Sequence, residues 1–203
     1  MSQIVAFKRE DFGIIFTDSN IVKADNTPIK GENRKVFKGK NFIIATAGLS
    51  YGIYIIEGLI KSAKDFDIKD INYLTNYLIK VGNRQYQDFI RGNKNIQNDY
   101  LRIYFIVIAV NESGQLSMKM IGAEGFDNFK EFPVVDIITI PRRITIELGL
   151  IKRQKDSKEE IKAFIEESLE KIHKIDKSIS PPFVYESFEI DWNTSLKKFL
   201  KNS

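Results

Sequence analysis

Apolar residues in the first quarter of the chain come in short runs that are typical of β-strands. The connections between these runs are too short for crossover helices, so we expect the strands to pair antiparallel. Residues 14–16, 43–45 and, later in the chain, 103–108 are apolar without alternation, which predicts sheets that are covered on both faces. The predicted strands cover residues 3–8, 12–19, about 34–38 and 41–47, with turn residues at 26–31.

Helical spacing of apolar residues alternates with further strands in the rest of the chain. One helix begins at Ser157, where Ser157 and Glu160 form a capping box. The other predicted helices cover about 50–64, 69–90, 142–152 and 194–201. The remaining strands cover 102–110, 116–121, 134–140 and 183–190, and residues 92–99 form a polar loop.

This order of strand blocks and helix pairs predicts an α+β fold. Two sheets that face each other, with helices outside, bury both the strands and the apolar helix faces. We therefore expect a four-layer α/β/β/α sandwich of two antiparallel sheets flanked by helix layers. A length of 203 residues suits a single domain over 1–203 with a sizeable core.

Composition excludes several kinds of chemistry. The chain has no cysteine and one histidine, His173, so we expect no metal and no cofactor. The 31 basic residues exceed the 27 acidic ones only slightly and are spread along the chain, so no nucleic-acid partner is expected. A secretory signal and an apolar stretch of roughly 20 residues are both missing, which predicts a cytoplasmic protein without membrane contact.

The candidate chemistry lies at the start of the chain. Met1 and Ser2 lead directly into the first strand. If Met1 is cleaved, Ser2 carries a hydroxyl and a free α-amine, whose ordinary pKa of about 7.7–8.0 suits a general base. Three further motifs follow in order, each at a strand end: Asp18-Ser19, Lys35-Val36 and Ala45-Thr46-Ala47-Gly48.

The ordered motifs resemble those of a proteasome-type β-subunit of the N-terminal nucleophile hydrolase superfamily. The resemblance implies that Ser2 Oγ attacks a peptide carbonyl while its own α-amine accepts the proton. It implies that Lys35 lowers the pKa of the hydroxyl and that Asp18 keeps Lys35 charged. The Gly48 N–H would stabilise the oxyanion.

The same resemblance implies the partners and the substrate pocket. We expect a peptidase that hydrolyses peptides or proteins inside a homo-oligomeric ring. An ATP-driven unfoldase is a candidate partner, since the chain has no P-loop of its own. By analogy, the pocket residues lie at or near Ile21, Asn33, Phe37, Thr46 and Ser50.

The chain departs from the family pattern in three places. Serine replaces the usual threonine nucleophile. Arg142, in Pro141-Arg142-Arg143, stands at about the place of a serine that supports the N-terminal amine. There it would disfavour protonation of the amine or bind a substrate carboxylate. The later Asp and nearby Ser of the family have no clean counterpart here, and Asp176 with Ser178 or Ser180 is the only candidate.

Other functions fit parts of the same sequence. Gly48–Gly52 matches G-x-S-x-G, and an aspartate (Asp127 or Asp136) and His173 follow it. Four short-linked strands precede this motif instead of βαβ units, so we interpret Ser50 as a helix cap. The arginine substitution also fits a catalytically inactive structural or peptide-binding subunit. Interception of the acyl-enzyme by an amine would make the protein a transpeptidase or ligase.

Overall fold

A computed structural model describes residues 3–20, 34–63, 70–92 and 101–190. The predicted helix at 194–201 and almost all of the predicted loop at 92–99 lie outside these residues. The strands are β1 (Ile4–Lys8), β2 (Phe12–Thr17), β3 (Val36–Lys38), β4 (Phe42–Gly48), β5 (Arg102–Val110), β6 (Leu116–Glu124), β7 (Lys130–Phe132), β8 (Ile137–Ile140) and β9 (Val184–Glu189). The helices are α1 (Tyr51–Ala63), α2 (Ile71–Gly92), α3 (Ile144–Lys152) and α4 (Lys158–Ile175).

The strands form two antiparallel sheets. One sheet has the order β8-β1-β2-β9, and the other has the order β3-β4-β5-β6-β7. In the first sheet, β1 and β2 form a hairpin in which Ile4 pairs with Thr17. Strands β8 and β9, from the last third of the chain, flank this hairpin on either side. The hairpin at the start of the chain is therefore the centre of its sheet.

Three hydrophobic clusters separate four layers. The first cluster lies between α1 and α2 and one face of the larger sheet, with Phe105 and Leu78 fully buried in it. The second lies between the two sheets and includes Ile15 of β2 and Ile106 of β5. The third packs the outer face of the β1–β2 hairpin against α3 and α4. This arrangement confirms the predicted α/β/β/α sandwich of two antiparallel sheets.

The two sheets approach each other closely at Gly13 of β2. A Cβ atom at this position would lie 2.6 Å from Cγ2 of Ile108 and 3.0 Å from its Cδ1. Real Cβ atoms do not come so near to a neighbour, so glycine is needed here for packing. The close contact fixes the spacing between β2 and β5.

The structure corrects several predicted boundaries. Strand β7 was not predicted, because three residues that include Lys130 and Glu131 carry no apolar run. Strand β8 begins at Ile137 instead of 134, and α3 begins at Ile144 instead of 142. Strand β2 ends at Thr17, two residues before the predicted end. The capping box of α4 is confirmed, with Ser157 as N-cap and Glu160 at the third helical position.

Candidate active site

Asp18 and Lys35 form a buried ion pair at one end of the sheets. Asp18 is 0% exposed and Lys35 is 3% exposed. The Nζ of Lys35 donates to Oδ1 of Asp18 at 2.9 Å. The same carboxylate oxygen accepts from the backbone N–H of Gln3 at 2.8 Å. The pair predicted from the sequence is therefore brought together, and it is tied to the residue that follows Ser2.

The hairpin and the third strand place these groups. Asp18 directly follows β2, and its backbone N–H donates to the Gln3 carbonyl oxygen at 3.1 Å, which continues the β1–β2 ladder by one pair. Lys35 directly precedes β3. The ammonium of Lys35 also donates to the carbonyl oxygen of Asn20. Each charged group is thus held at the end of a strand and not on a free loop.

Burial acts on both pKa values of the pair. It raises the pKa of the Asp18 carboxyl, and the Lys35 charge and three hydrogen bonds oppose this shift. Burial lowers the pKa of Lys35, and the Asp18 carboxylate opposes that shift. A buried ammonium with a lowered pKa can lower the pKa of a neighbouring hydroxyl and can exchange a proton with it.

Gly48 ends β4 with its N–H on the Lys35 side of the strand. Its φ is 90°, and a Cβ would lie 2.0 Å from the Arg102 carbonyl oxygen, so only glycine fits. The N–H of Thr46 donates to the Lys35 carbonyl, whereas the N–H of Leu49 donates to Arg102 across the other edge. Antiparallel ladders alternate in this way. The N–H of Gly48, an exposed residue, therefore points to the edge of β4 that carries Lys35.

Arg143, and not Arg142, reaches the residue next to Ser2. The Nε of Arg143 donates to Oε1 of Gln3 at 3.0 Å. Arg142 lies outside, with 75% of its side chain exposed and its Nε 3.2 Å from Glu147. The sequence predicted that Arg142 lies near the N-terminal residue, but the arginine that contacts Gln3 is the next one, Arg143.

Two further groups near the site had no strong sequence signal. The side chain of Gln3 is fully buried, and its Nε2 donates to the carbonyl oxygens of Ile140 and Pro141, each at 3.3 Å. Asn20 accepts from Lys35 through its backbone carbonyl, which no side-chain pattern reports. The one sequence signal for Gln3 is a polar glutamine at the first position of the predicted strand 3–8, next to an apolar run.

The predicted pocket residues differ in accessibility. Thr46 is 2% exposed, and its Oγ1 packs against Gly52 of α1 with no hydrogen-bond partner among the described residues. Phe37 is half-buried and packs on the first cluster. Ser50 is exposed and lies directly before α1, where its carbonyl accepts from Ile53. Ser2, Ile21 and Asn33 lie outside the described residues.

The alternative triad is not assembled. The ring Nδ1 of His173 contacts the carbonyl oxygen of Ile179 at 2.5 Å, and Asp136 pairs with Lys8. Ser50 follows a strand of an antiparallel sheet, which is not the context of a nucleophile elbow. Among the residues that the structure describes, no three His, Cys, Asp or Glu side chains could hold a metal ion. No described helix is long and apolar enough to span a bilayer.

Two facing antiparallel sheets between helix pairs, with a buried Asp–Lys pair at the start of the first strand, define a class of protein. The chain has a proteasome β-subunit-like fold. No protein-family model and no curated protein matches the sequence. The assignment therefore depends on similarity to solved structures.

Several solved structures share this fold over nearly the whole chain. The Anbu protein of Pseudomonas aeruginosa, solved as a helical assembly, is 13% identical with a TM-score of 0.69, over 99% of this chain and 96% of that one. HslV from Trypanosoma brucei is 14% identical with a TM-score of 0.55, over 93% and 99%. Thiobacillus denitrificans BPH, solved in complex with epoxomicin, is 9% identical with a TM-score of 0.57, over 93% and 99%. The structural similarity establishes the fold. At identities this low it says nothing of the chemistry, which has to be argued from the residues.

Proposed function

We propose that the protein hydrolyses peptide bonds with Ser2 as an N-terminal nucleophile after removal of Met1. The observation that carries this proposal is the contact between the backbone N–H of Gln3 and the buried Asp18–Lys35 pair. Ser2 lies outside the described residues, but its carbonyl carbon is bonded covalently to that Gln3 nitrogen. The residue bonded directly to Ser2 therefore contacts a buried carboxylate that is paired with a buried ammonium, and this supports Ser2 as the nucleophile.

The expected chemistry is acyl transfer in two steps. The α-amine of Ser2 takes the proton of its own hydroxyl as Oγ adds to the substrate carbonyl, and the leaving amine then receives that proton. Lys35 stabilises the developing alkoxide, and Asp18 keeps Lys35 oriented. The exposed N–H of Gly48, on the same edge of β4, donates to the oxyanion. Water then releases the acyl group and regenerates Ser2.

Replacing the nucleophile tests the proposal directly. We expect Ser2→Ala to abolish the hydrolysis of short fluorogenic peptides, whereas Ser2→Thr retains a nucleophilic oxygen and measurable activity. Ser113→Ala, in an exposed turn far from the pair, is the matched serine control. Mass spectrometry of the intact protein would report both the removal of Met1 and an ester adduct on Ser2. Equal activity of Ser2→Ala and wild type would overturn the mechanism.

Blocking the α-amine separates this mechanism from one that uses only the hydroxyl. A form extended by a non-cleavable peptide before Met1 keeps every side chain but has no free amine at Ser2. We expect it to be inactive and to form no adduct with epoxomicin. A wild-type protein with a free Ser2 amine that shows neither hydrolysis nor adduct would support the catalytically inactive alternative.

We also propose assembly with further copies of this chain. The support is the similarity to the Anbu protein, which was solved as a helical assembly. Sedimentation velocity of the full chain tests this proposal, because a ring or helix of 23.5 kDa subunits separates clearly from a monomer. Sedimentation as a monomer at all concentrations would contradict it.

A further inference from the structure

A closed circuit of hydrogen bonds begins and ends on Gln3. On its inner side, the Gln3 N–H donates to Asp18, which accepts from Lys35 at 2.9 Å, and Lys35 also donates to the Asn20 carbonyl. The Asn20 N–H also donates to Oδ2 of Asp18 at 3.3 Å, so Asn20 contacts both Lys35 and Asp18. The inner side thus fixes the backbone of Gln3.

The outer side returns to the same residue through its side chain. The Nδ2 of Asn20 donates to the Ser178 carbonyl at 2.9 Å. Ser178 donates to Oδ1 of Asp176, through Oγ at 2.6 Å and through N–H at 3.1 Å. Oδ2 of Asp176 accepts from Nη2 of Arg143 at 3.2 Å. The Nε of Arg143 donates to Oε1 of Gln3 at 3.0 Å, which closes the circuit.

Arg143 links the start of the chain to the end of α4, beside the contacts that Ser19 and Asn20 make with the segment after α4. Its planar guanidinium presents Nε to one partner and Nη2 to another in a fixed geometry, which the single ammonium of a lysine cannot reproduce. The backbone N–H of Arg143 donates to Oγ1 of Thr139 at 2.6 Å, so the main chain of Arg143 is anchored in turn. With 30% of its side chain exposed, Arg143 is shielded enough for these contacts to persist.

The Gln3 side chain is held at both ends of its amide. Oε1 accepts from Arg143, while Nε2 donates to the carbonyl oxygens of Ile140 and Pro141. Nε2 also donates to the carbonyl oxygen of the adjacent Ile4 at 3.1 Å, so the segment that carries Arg143 supplies a donor to Oε1 and two of the three acceptors around Nε2. A buried side chain with every polar atom engaged cannot rotate without losing hydrogen bonds.

We infer that Arg143 is a positioning residue: acting through Gln3, it fixes the backbone that carries Ser2 against the Asp18–Lys35 pair. This inference rests on the proposed function. Arg143 acts through another residue, and a displacement of the nucleophile by about 1 Å is enough to cost roughly 10²-fold in rate. Removing the Arg143 side chain leaves the ion pair in place but takes away the donor to Oε1 of Gln3.

Steady-state kinetics distinguish positioning from substrate binding. For Arg143→Gln we expect kcat to fall about 10–100-fold with KM unchanged, because the nucleophile is misaligned while the pocket is intact. Arg143→Lys restores one of the two contacts and should recover part of kcat. Arg153→Gln is the matched control, since Arg153 has 37% of its side chain exposed and faces an aspartate, Asp156, at the other end of α3. A rise in KM at constant kcat would overturn the inference.

Hydrogen exchange of the Gln3 amide tests the circuit without any substrate. We expect the backbone N–H of Gln3 to exchange at least tenfold faster in Arg143→Gln than in wild type or Arg153→Gln. The reason is that the Gln3 side chain has lost its hydrogen bond from Arg143, so the backbone of Gln3 is held less firmly. Asp176→Asn, which weakens the other end of the guanidinium contact, gives an independent break if Arg143→Gln does not fold.

The two measurements separate this inference from the proposed function. A wild-type protein without hydrolysis refutes the proposed function, and the exchange rate of Gln3 then decides whether Arg143 holds the backbone. Unchanged Gln3 exchange in both variants refutes the inference, whatever the activity. Faster exchange of the Gln3 N–H in Arg143→Gln together with a full kcat also refutes the inference, because the position of the Gln3 backbone would then not affect the reaction.

Discussion

The Asp18–Lys35 pair is the residue-scale feature on which the site depends. Both charges are removed from water, and their mutual attraction and hydrogen bonds offset a large desolvation cost. Such a pair contributes little net stability compared with an apolar replacement. Its retention in the core is more easily explained by chemistry than by folding.

Removing one charge of the pair should destabilise the protein more than removing both. Asp18→Asn leaves the Lys35 ammonium buried without its counter-charge, and we expect a loss of about 3–5 kcal/mol in the free energy of unfolding. Asp18→Asn combined with Lys35→Met should recover much of this loss. Urea unfolding at neutral pH measures both. Additive losses in the double variant would contradict the prediction.

At this scale the sequence predicted some residues and missed others for a physical reason. Asp18 and Lys35 each adjoin a strand, and their order along the chain matched a family pattern. Gln3 and Arg143 are separated by 140 positions, and only the completed sheet brings them together. Their contact left no local pattern, so the sequence could suggest an arginine here but not which one.

Tyr86 shows how one side chain connects elements. It lies on α2 and is fully buried, and its hydroxyl lies 2.8 Å from the carbonyl oxygen of Gly125 and 3.1 Å from that of Leu101. It thereby ties the helix to the start of β5 and the end of β6. Burial, with the charge of Asp127, raises the pKa of Tyr86 to about 12 from 10.0.

The raised pKa of Tyr86 gives stability that depends on pH. The folded state favours the neutral phenol, so this contribution is complete below pH 10 and is lost as pH rises from about 10 to 12. We expect Tyr86→Phe to be less stable by about 1–2 kcal/mol at pH 8. Between pH 10 and 12 it should lose stability less steeply than wild type.

Denaturant unfolding at several pH values measures this difference. Tyr54→Phe is the control, because the Tyr54 side chain is 68% exposed and its loss should leave the profile unchanged. Parallel profiles for wild type and Tyr86→Phe above pH 10 would show that another group causes the alkaline loss.

Element boundaries were predictable where apolar runs were long. Strands β2, β4 and β5 were found because they are apolar on both faces. Strand β7 was missed because it is three residues long and largely polar, and only pairing with β6 makes it a strand. Tertiary contacts thus decided the elements that local propensity left open.

On the scale of the molecule, the spacing of the sheets depends on Gly13. We expect Gly13→Ala to cost about 1–3 kcal/mol of stability, because the new methyl group overlaps Ile108 in a packed core. Gly58→Ala is the contrasting variant: a Cβ there meets nothing within 4 Å, and alanine should stabilise α1 by up to about 1 kcal/mol.

A second substitution tests whether overlap is the cause. Ile108→Ala removes the atoms that the new methyl group would strike, so the double variant should lose less stability than the sum of the two single losses. Thermal unfolding of the four proteins provides the comparison. Strict additivity would mean that Gly13 matters for the backbone and not for the gap between the sheets.

The layers were predictable from the sequence, whereas the order of the strands was not. Alternating strand blocks and helix pairs already predict two covered sheets. Nothing in the sequence places β8 beside β1 or β9 beside β2, because these neighbours come from opposite ends of the chain. The circuit through Arg143 and Asp176 depends on this long-range pairing, which explains why it escaped prediction.

The central place of the β1–β2 hairpin has a consequence during synthesis. The hairpin leaves the ribosome before its two lateral neighbours, which emerge more than 110 residues later. Until then both of its edges offer unpaired backbone groups to other nascent chains. The hairpin is thus made well before its sheet can be completed, and a translation product that stops before β9 leaves one side of the hairpin open.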